Sequence, residues 1–184
     1  MLRPLAQTLA TCLCLGQILY ATGPQGVWLD VSFIKQEKNA CGAAAVAMVM
    51  QYWSGEQGRS SGESADVTRI QNALYSREAH GIYNSAIESY FREQNFRTFT
   101  IRGQWSDLLQ HLEKGRPLIV MLKPEHQKPL HYVVVTGVEP AQNLVLVNDP
   151  AERKLLKLDR TTFEKSWNAA GNWTLLAVPQ QALP

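Results

Sequence analysis

The chain has 184 residues, of which 45% are hydrophobic and 18% are charged, and its formal net charge at pH 7 is +2. These values are typical of one globular domain that is long enough to bury a sizeable core. The charges are spread along the chain without a basic run or an acidic tail, which argues against nucleic acid or a strongly charged macromolecule as a partner.

The N-terminal segment differs from the rest of the chain. Within residues 1–23 the only charge is Arg3, residues 5–20 are mostly apolar, and the small residues Ala21 to Gly23 follow. We therefore predict a secretory signal peptide over residues 1–23, and one exported domain, periplasmic or secreted, over residues 24–184. An uncleaved membrane anchor is the alternative, although the apolar stretch is short for a membrane span.

The first predicted elements of the mature chain lead to a cysteine. Residues 27–34 alternate between apolar and polar side chains, which predicts a strand. Apolar residues at helical spacing then predict a helix that begins at Asn39 or Ala40 and ends near Trp53. Cys41 would lie at the N-terminus of this helix, where free backbone N–H groups and the helix dipole stabilise a thiolate.

Cys41 is also the sole thiol of the predicted mature chain. The other two cysteines, Cys12 and Cys14, lie in the predicted signal peptide. An exported protein with one thiol has no internal disulfide, so its cysteine is either a small buried apolar residue or a reactive group. The residues around Cys41 favour the reactive group.

The rest of the chain predicts a mixture of helices and strands. Helical spacing of apolar residues predicts four further helices, over residues 66–75, 84–95, 105–114 and 161–167. Alternating or continuously apolar runs predict six further strands, over residues 96–101, 117–122, 131–137, 144–150, 155–158 and 173–178. Asp66 and Ser106 are the predicted N-terminal caps of two of these helices, and Gly115 is predicted to end the helix that Ser106 begins.

The predicted hairpin over residues 131–150 brings a histidine towards an acid. A short polar turn between its strands would pair Val135 with Val145, and His131 with Asp149. Directly opposite residues share a face of the sheet, with Cβ atoms about 4.5–5.5 Å apart. A register slip of one residue would place Asn148 opposite His131 instead, so Asp149 and Asn148 are both candidate partners.

A cysteine nucleophile needs a small set of helper groups, and the chain supplies them in order. A histidine lowers the pKa of the thiol and later protonates the leaving amine, while an acceptor on its other nitrogen fixes its tautomer. Donors near the thiol stabilise the oxyanion that forms on attack. Cys41 is the predicted nucleophile and His131 its base. Asp149 is the predicted acceptor, and the Gln36 side chain and the Cys41 backbone N–H are the predicted oxyanion donors.

Three motifs resemble the C39 peptidase family and its C39-like relatives. They are Gln-x4-Cys-Gly-Ala-Ala from Gln36, His-Tyr-Val-Val-Val-Thr-Gly from His131, and Val-Asn-Asp-Pro from Val147. The resemblance spans roughly residues 31–173 and implies an α+β, papain-like cysteine peptidase fold. In this fold a helix that carries the cysteine packs on an antiparallel sheet that carries the histidine, and the site residues have the roles given above.

The resemblance implies a cysteine peptidase that cleaves an exported peptide or protein, including substrates of a secretion system. The best-known members process double-glycine leader peptides of bacteriocins, as domains of export transporters. No glycine-rich phosphate-binding loop is present, so the use of ATP is not expected. The sequence predicts no cofactor. Two alternatives remain open: an amidase or transpeptidase that uses the same site, and an inactive relative that binds peptides.

The remaining histidines give no metal-binding pattern. His80, His111 and His126 are scattered along the chain, and one cysteine with scattered histidines does not predict a zinc site. We interpret all three as solvated or locally hydrogen-bonded, and keep only His80 as a distant candidate for the site. A membrane contact is expected only if the N-terminal segment stays uncleaved.

Overall fold

The computed structural model describes residues 25–124 and 129–182, so the predicted signal peptide lies outside the described residues. Within these ranges the helices are α1 (Cys41–Glu56), α2 (Val67–Leu74), α3 (Asn84–Glu93), α4 (Trp105–Glu113) and α5 (Arg160–Ala169). The strands are β1 (Val27–Trp28), β2 (Phe96–Arg102), β3 (Leu118–Leu122), β4 (His131–Glu139), β5 (Leu144–Asn148), β6 (Leu156–Asp159) and β7 (Trp173–Pro179).

The strands form one antiparallel sheet in the order β2-β7-β3-β4-β5-β6, and β1 pairs with β4 beyond the end of β3. Helix α1 packs against β3, β4 and β7, and it also contacts α2 and α3. This α+β arrangement confirms the predicted fold, in which the helix that begins with the cysteine lies on the antiparallel sheet that carries the histidine. No helix in the described part of the chain is long and apolar enough to cross a membrane.

Small side chains allow α1 to lie deep in the protein. Residues 43–47 have no exposed surface, and a helix buried this deeply needs small residues where its neighbours come close. At Gly42 an added Cβ would lie 3.2 Å from Ile82 and 3.3 Å from the ring of Tyr132. The first turn of α1 is therefore in close contact with the start of β4.

The strand predicted over residues 27–34 is much shorter in the structure and ends at Trp28. The reason lies in the hydrogen bonds of the residues that follow. The amide of Asn148 donates to the carbonyls of Val31 and Ser32, so a side chain takes the place of a neighbouring strand.

The predicted caps of α2 and α4 have different outcomes. Asp66 caps α2 as predicted, because its Oδ1 accepts from the Arg69 N–H at 2.8 Å. The cap predicted at Ser106 is wrong. Gln104 caps α4 through a capping box, in which its N–H donates to Oδ2 of Asp107 at 2.7 Å.

Strand β4 contains a β-bulge where it pairs with β5. Val135 lies opposite Val147, but Gly137 lies opposite Leu146, so Thr136 is an extra residue on β4. The bulge changes the pairing by one residue between the two ends of the hairpin.

The bulge is also the place where β1 approaches β4. The Thr136 carbonyl accepts a hydrogen bond from the Leu29 N–H at 2.7 Å. A Cβ on Gly137 would lie 2.6 Å from the Val27 carbonyl oxygen, which is too short for any carbon–oxygen contact. Glycine at position 137 is therefore required for β1 to pair here.

Replacing Gly137 with alanine should lower the free energy of unfolding by about 1–3 kcal/mol, because the new methyl group meets backbone that cannot move aside. Gly55→Ala is the control, since nothing lies within 4 Å of a Cβ added at that helical position. Alanine there should raise the free energy of unfolding by about 0.5–1 kcal/mol. Urea unfolding followed by circular dichroism measures both, and similar effects at the two sites would contradict the close approach of β1.

Candidate active site

Cys41 is half-buried and is the first residue of α1. Ala40 before it provides no side-chain cap, so the first N–H groups of the helix are not taken up by a cap. Burial raises the pKa of the Cys41 thiol, but hydrogen bonds from the His131 side chain and from the Tyr132 and Gly42 N–H groups outweigh it. The pKa of Cys41 therefore lies below its ordinary value, which favours the thiolate.

His131 begins β4 and lies between Cys41 and Asp149. Its Nε2 is 2.6 Å from Oδ1 of Asp149, which leaves Nδ1 for Cys41. Burial alone would lower the pKa of His131, but the hydrogen bonds and charges of Asp149 and Cys41 raise this pKa to about 9. At neutral pH His131 is therefore an imidazolium, and its charge favours the thiolate form of Cys41 over the thiol.

The Asp149 carboxylate is held by the turn that follows β5. The Ala151 N–H donates to Asp149 Oδ1 at 2.9 Å, and the Glu152 N–H donates to the Asp149 carbonyl at 3.0 Å. Burial raises the pKa of this carboxyl, but the hydrogen bonds from His131 and from the turn bring it below its ordinary value. Asp149 therefore stays ionised beside the imidazolium.

The predicted register of the hairpin is wrong by two residues at this end. Val135 lies opposite Val147 rather than Val145. Strand β5 ends one residue before Asp149, so Asp149 reaches His131 from the following turn, as a diagonal neighbour rather than a direct partner.

The bulge at Thr136 decides which residue meets His131. Between the bulge and the turn, each odd-numbered residue of β4 lies opposite an even-numbered residue of β5. On the His131 side of the bulge, odd-numbered residues of β4 lie opposite odd-numbered residues of β5. Since opposite residues share a face, the bulge places Asp149 on the face of His131 and Asn148 on the other face.

Asn148 has structural contacts instead. It is fully buried, and its amide nitrogen donates to the carbonyl oxygens of Val31 at 3.0 Å and of Ser32 at 3.4 Å. Its Oδ1 accepts from the Leu155 N–H at 3.0 Å. Asn148 thereby joins the segment that leads to Cys41 to the end of β5.

Gln36 lines the same cleft as Cys41. Its backbone N–H donates to the Pro150 carbonyl at 2.9 Å, which ties it to the residue directly after Asp149. Its side-chain oxygen is buried and has no hydrogen-bond partner among the described residues. The structure thus brings Gln36 to the cleft that holds the thiol, which is where an oxyanion donor has to be.

The cleft around Cys41 has a volume of about 720 Å³. Its apolar walls include Ile82, Tyr83, Met121, Leu130 and Trp173. Tyr83 and Leu130 are 47% and 49% exposed, so large apolar side chains are open to solvent in the cleft that holds the thiol. Such walls suit the side chains of a bound peptide.

Tyr132 is a residue that sequence reasoning missed, because it reads as an ordinary buried residue of a strand. Its hydroxyl lies 3.1 Å from the Ile82 carbonyl and also hydrogen-bonds Oδ1 of Asn84. Its ring packs edge-on against Trp173, and its N–H binds the Cys41 sulfur. Tyr132 therefore links the nucleophile to the wall of the cleft, and the only signal in the sequence was its place beside the predicted base.

Two of the other three histidines, His80 and His111, lie in the described part of the chain. His111 is on α4, and burial lowers its pKa. His80 is exposed on a turn at the rim of the cleft, and His126 lies outside the described residues. Across the described part of the chain, no group of three His, Cys, Asp or Glu residues is arranged to hold a metal ion.

The α+β fold of the described residues, with five helices and one antiparallel sheet, matches that of C39-like peptidase domains. The model of the Peptidase_C39 like family matches residues 28–175, so the chain belongs to this family and the resemblance is confirmed. A search of curated protein sequences found no match.

Solved structures agree on the fold. A C39-like peptidase from Bacillus anthracis is 18% identical with a TM-score of 0.67, and the match covers 84% of this chain and 98% of that one. The peptidase domain of Streptococcus ComA, a bi-functional ABC transporter, is also 18% identical, with a TM-score of 0.63 over 82% and 98% of the two chains.

A third solved structure contains a bound peptide. It is a double glycine motif protease from an AMS/PCAT transporter in complex with the leader peptide. It is 21% identical with a TM-score of 0.62, over 85% of this chain and 99% of its own. At these identities the likeness establishes the fold alone.

The pH dependence of Cys41 alkylation should show the effect of His131. In the wild type, the rate with iodoacetamide should rise at a pH below that of an ordinary thiol, because the imidazolium stabilises the thiolate. In His131→Ala the rise should move to higher pH, since burial then raises the pKa of Cys41 without compensation. Mass spectrometry of the Cys41 peptide gives the rate, and equal profiles for the two proteins would contradict the ion pair.

Asp149 and Asn148 should respond differently to substitution. Asp149→Asn keeps an acceptor for the Ala151 N–H but loses the charge, so alkylation of Cys41 at pH 7 should slow by about tenfold for each unit by which its pKa rises. Asn148→Ala leaves buried backbone groups unpaired and should lower the free energy of unfolding by about 2–4 kcal/mol.

Urea unfolding and alkylation of the folded protein separate these two effects. Asp149→Asn should change the alkylation rate more than the stability, and Asn148→Ala the stability more than the alkylation rate. The reverse pattern would mean that Asn148, and not Asp149, is the residue on which His131 depends.

Proposed function

We propose that this chain is a cysteine peptidase that cleaves a peptide or protein substrate. The observation that carries the proposal is the continuous hydrogen-bonded series from Cys41 through His131 to Asp149, beside an open cleft. Membership of a peptidase family supports peptide-bond hydrolysis as the reaction.

In the proposed first step, the Cys41 thiolate attacks the carbonyl carbon of the scissile bond. The carbonyl oxygen becomes an oxyanion, for which the Cys41 N–H at the start of α1 and the Gln36 amide are the candidate donors. The His131 imidazolium then gives its proton to the leaving nitrogen. The amine product departs, and the acyl group remains on Cys41 as a thioester.

In the proposed second step, water replaces the amine. His131, now neutral, takes a proton from water, and the hydroxide attacks the thioester carbon. Collapse of the oxyanion releases the carboxylic acid product and restores the thiolate beside the imidazolium. Asp149 holds the ring orientation in both steps and stabilises the cation, which fits its 2.6 Å contact with Nε2.

A peptide is the proposed substrate class. The apolar walls formed by Tyr83, Leu130 and Trp173 can take peptide side chains on the two sides of the thiol. The related protease with a bound leader peptide supports a peptide ligand in this fold. The double-glycine motif is a property of that protease and is not part of this proposal.

Cleavage of a peptide library tests the proposal. The wild type should cut with a bell-shaped dependence on pH: activity falls on the acid side as Cys41 becomes protonated, and on the alkaline side as His131 loses its proton near pH 9. Cys41→Ala should abolish cleavage, and His131→Ala should lower kcat/KM by about 10²–10⁴-fold. His111→Ala is the control and should keep activity, because His111 lies on α4 and does not line the cleft.

Mass spectrometry of the products separates the alternatives. A peptidase yields fragments alone, whereas a transpeptidase also yields joined fragments. An inactive relative would bind peptides without cutting them. Two results together would refute catalysis at this site. Cys41 would react no faster than a free cysteine at neutral pH, and the rate of Cys41 alkylation would be unchanged in His131→Ala.

A further inference from the structure

A second depression, of about 700 Å³, adjoins the Cys41 cleft. We call it the basic annex and define it by Lys38, Asn39, Gln71, Tyr75, Arg77 and His80. Asn39 and His80 line both the annex and the cleft. A peptide that lies across the thiol can therefore continue over this rim into the annex.

The annex offers positive charge without a matching acid. Lys38 and Arg77 are exposed, and neither belongs to an ion pair among the described residues. The acids next to them in sequence, Glu37 and Glu78, are not part of the annex lining. A carboxylate that entered the annex would meet two cations without competition from a lining carboxylate.

The annex also has an unused hydrogen-bond acceptor. Gln71 donates weakly to the Asn39 carbonyl, at 3.4 Å, while its own side-chain oxygen is buried without a partner among the described residues. A buried amide oxygen gains from a donor such as a backbone N–H. A peptide segment with an acidic side chain would supply a carboxylate for the Lys38 and Arg77 cations and a backbone N–H for the Gln71 oxygen. An isolated anion would supply only the negative charge.

The annex is held in a fixed place relative to the nucleophile. His80 lies at a left-handed φ of 48° in the turn that Ser76 and Gly81 close with two backbone hydrogen bonds, of 2.8 and 3.3 Å. Ile82, which follows Gly81, accepts a hydrogen bond from the Tyr132 hydroxyl through its backbone carbonyl. Since Tyr132 also contacts Cys41 through its N–H, one set of contacts joins the annex to the thiol.

We propose that the basic annex is a specificity subsite for a carboxylate of the substrate, carried by an Asp or Glu side chain a few residues from the scissile bond. The proposal rests on the peptidase function proposed above and adds the substrate class. The charge of the annex selects acidic peptides, while the apolar walls of the cleft hold the residues nearer the cut.

Matched peptides test this subsite. Each peptide of a library carries Glu, Gln or Lys at one position near the cut, and its C-terminus is either a free carboxylate or an amide. The wild type should prefer Glu over Gln at one position, through a KM that is about threefold to thirtyfold lower. The preference should weaken as salt is raised, because the charges are exposed. A preference for the free C-terminus instead would identify the chain end as the source of the carboxylate.

Charge reversal shows whether the annex causes the preference. Arg77→Glu and Lys38→Glu should each reduce the preference for Glu or turn it into one for Lys, with iodoacetamide alkylation of Cys41 unchanged. Lys114→Glu is the matched control, since it makes the same charge change at an exposed position outside both depressions. Equal KM values for Glu and Gln peptides, or a preference that survives both annex substitutions, would overturn the proposal.

Binding to Cys41→Ala distinguishes this subsite from the peptidase function. Fluorescent Glu and Gln peptides are titrated into this variant, which needs no turnover. Charge-dependent binding without cleavage by the wild type would support the annex and refute the peptidase. Cleavage by the wild type without any charge preference would support the peptidase and refute the annex.

Discussion

The 2.6 Å contact between Nε2 of His131 and Oδ1 of Asp149 is the interaction on which the site depends. Burial raises the pKa of Cys41 and lowers that of His131, so burial alone favours an uncharged thiol beside an uncharged imidazole. The carboxylate reverses this preference by stabilising the imidazolium, which in turn stabilises the thiolate. A site that lost Asp149 would keep its shape and lose its charge separation.

This contact depends on a feature of the sheet some distance away. The extra residue Thr136 changes the pairing of β4 with β5 so that Asp149, and not Asn148, shares a face with His131. The bulge is stabilised by β1, because the Thr136 carbonyl binds the Leu29 N–H and Gly137 leaves room for the Val27 backbone. The N-terminal strand of the domain thus helps to select the partner of the histidine.

Hydrogen bonds at the ends of elements bring the remaining parts of the site together. Asn148 binds the carbonyls of Val31 and Ser32, and the Gln36 N–H binds the Pro150 carbonyl. These contacts hold the segment that precedes Cys41 against the end of β5. On the other side of the thiol, Tyr132 ties the cleft wall to β4. The sheet and α1 provide the frame, and these few polar contacts set the relative positions of the reacting groups.

Local patterns in the sequence were enough to predict α1, the strand β4 that His131 begins, its neighbours β3 and β5, and the residues that the structure brings together at the site. They were insufficient where a non-local contact decides the outcome. The turn at Pro140–Gln142 is a 3₁₀ turn followed by Asn143 at a left-handed φ of 56°. Because Glu139 pairs with Leu144, the centre of this turn lies later in the chain than Pro140, on which the predicted register is centred. The bulge depends on β1, and the short β1 depends on Asn148, so neither could be found from its own segment.

The stability of the fold does not account for this charged centre. A half-buried ion pair contributes little net stability, because the cost of removing two charges from water offsets their attraction, and apolar side chains of similar size would pack at least as well. Here burial opposes both charges, and the hydrogen bonds of Asp149, Tyr132 and Gly42 still hold them in place beside an open cleft. Polar groups that are positioned against the cost of burial, at the point where a ligand can reach them, are typical of chemistry rather than of packing. The charged centre therefore supports a reactive thiol at Cys41 independently of family membership.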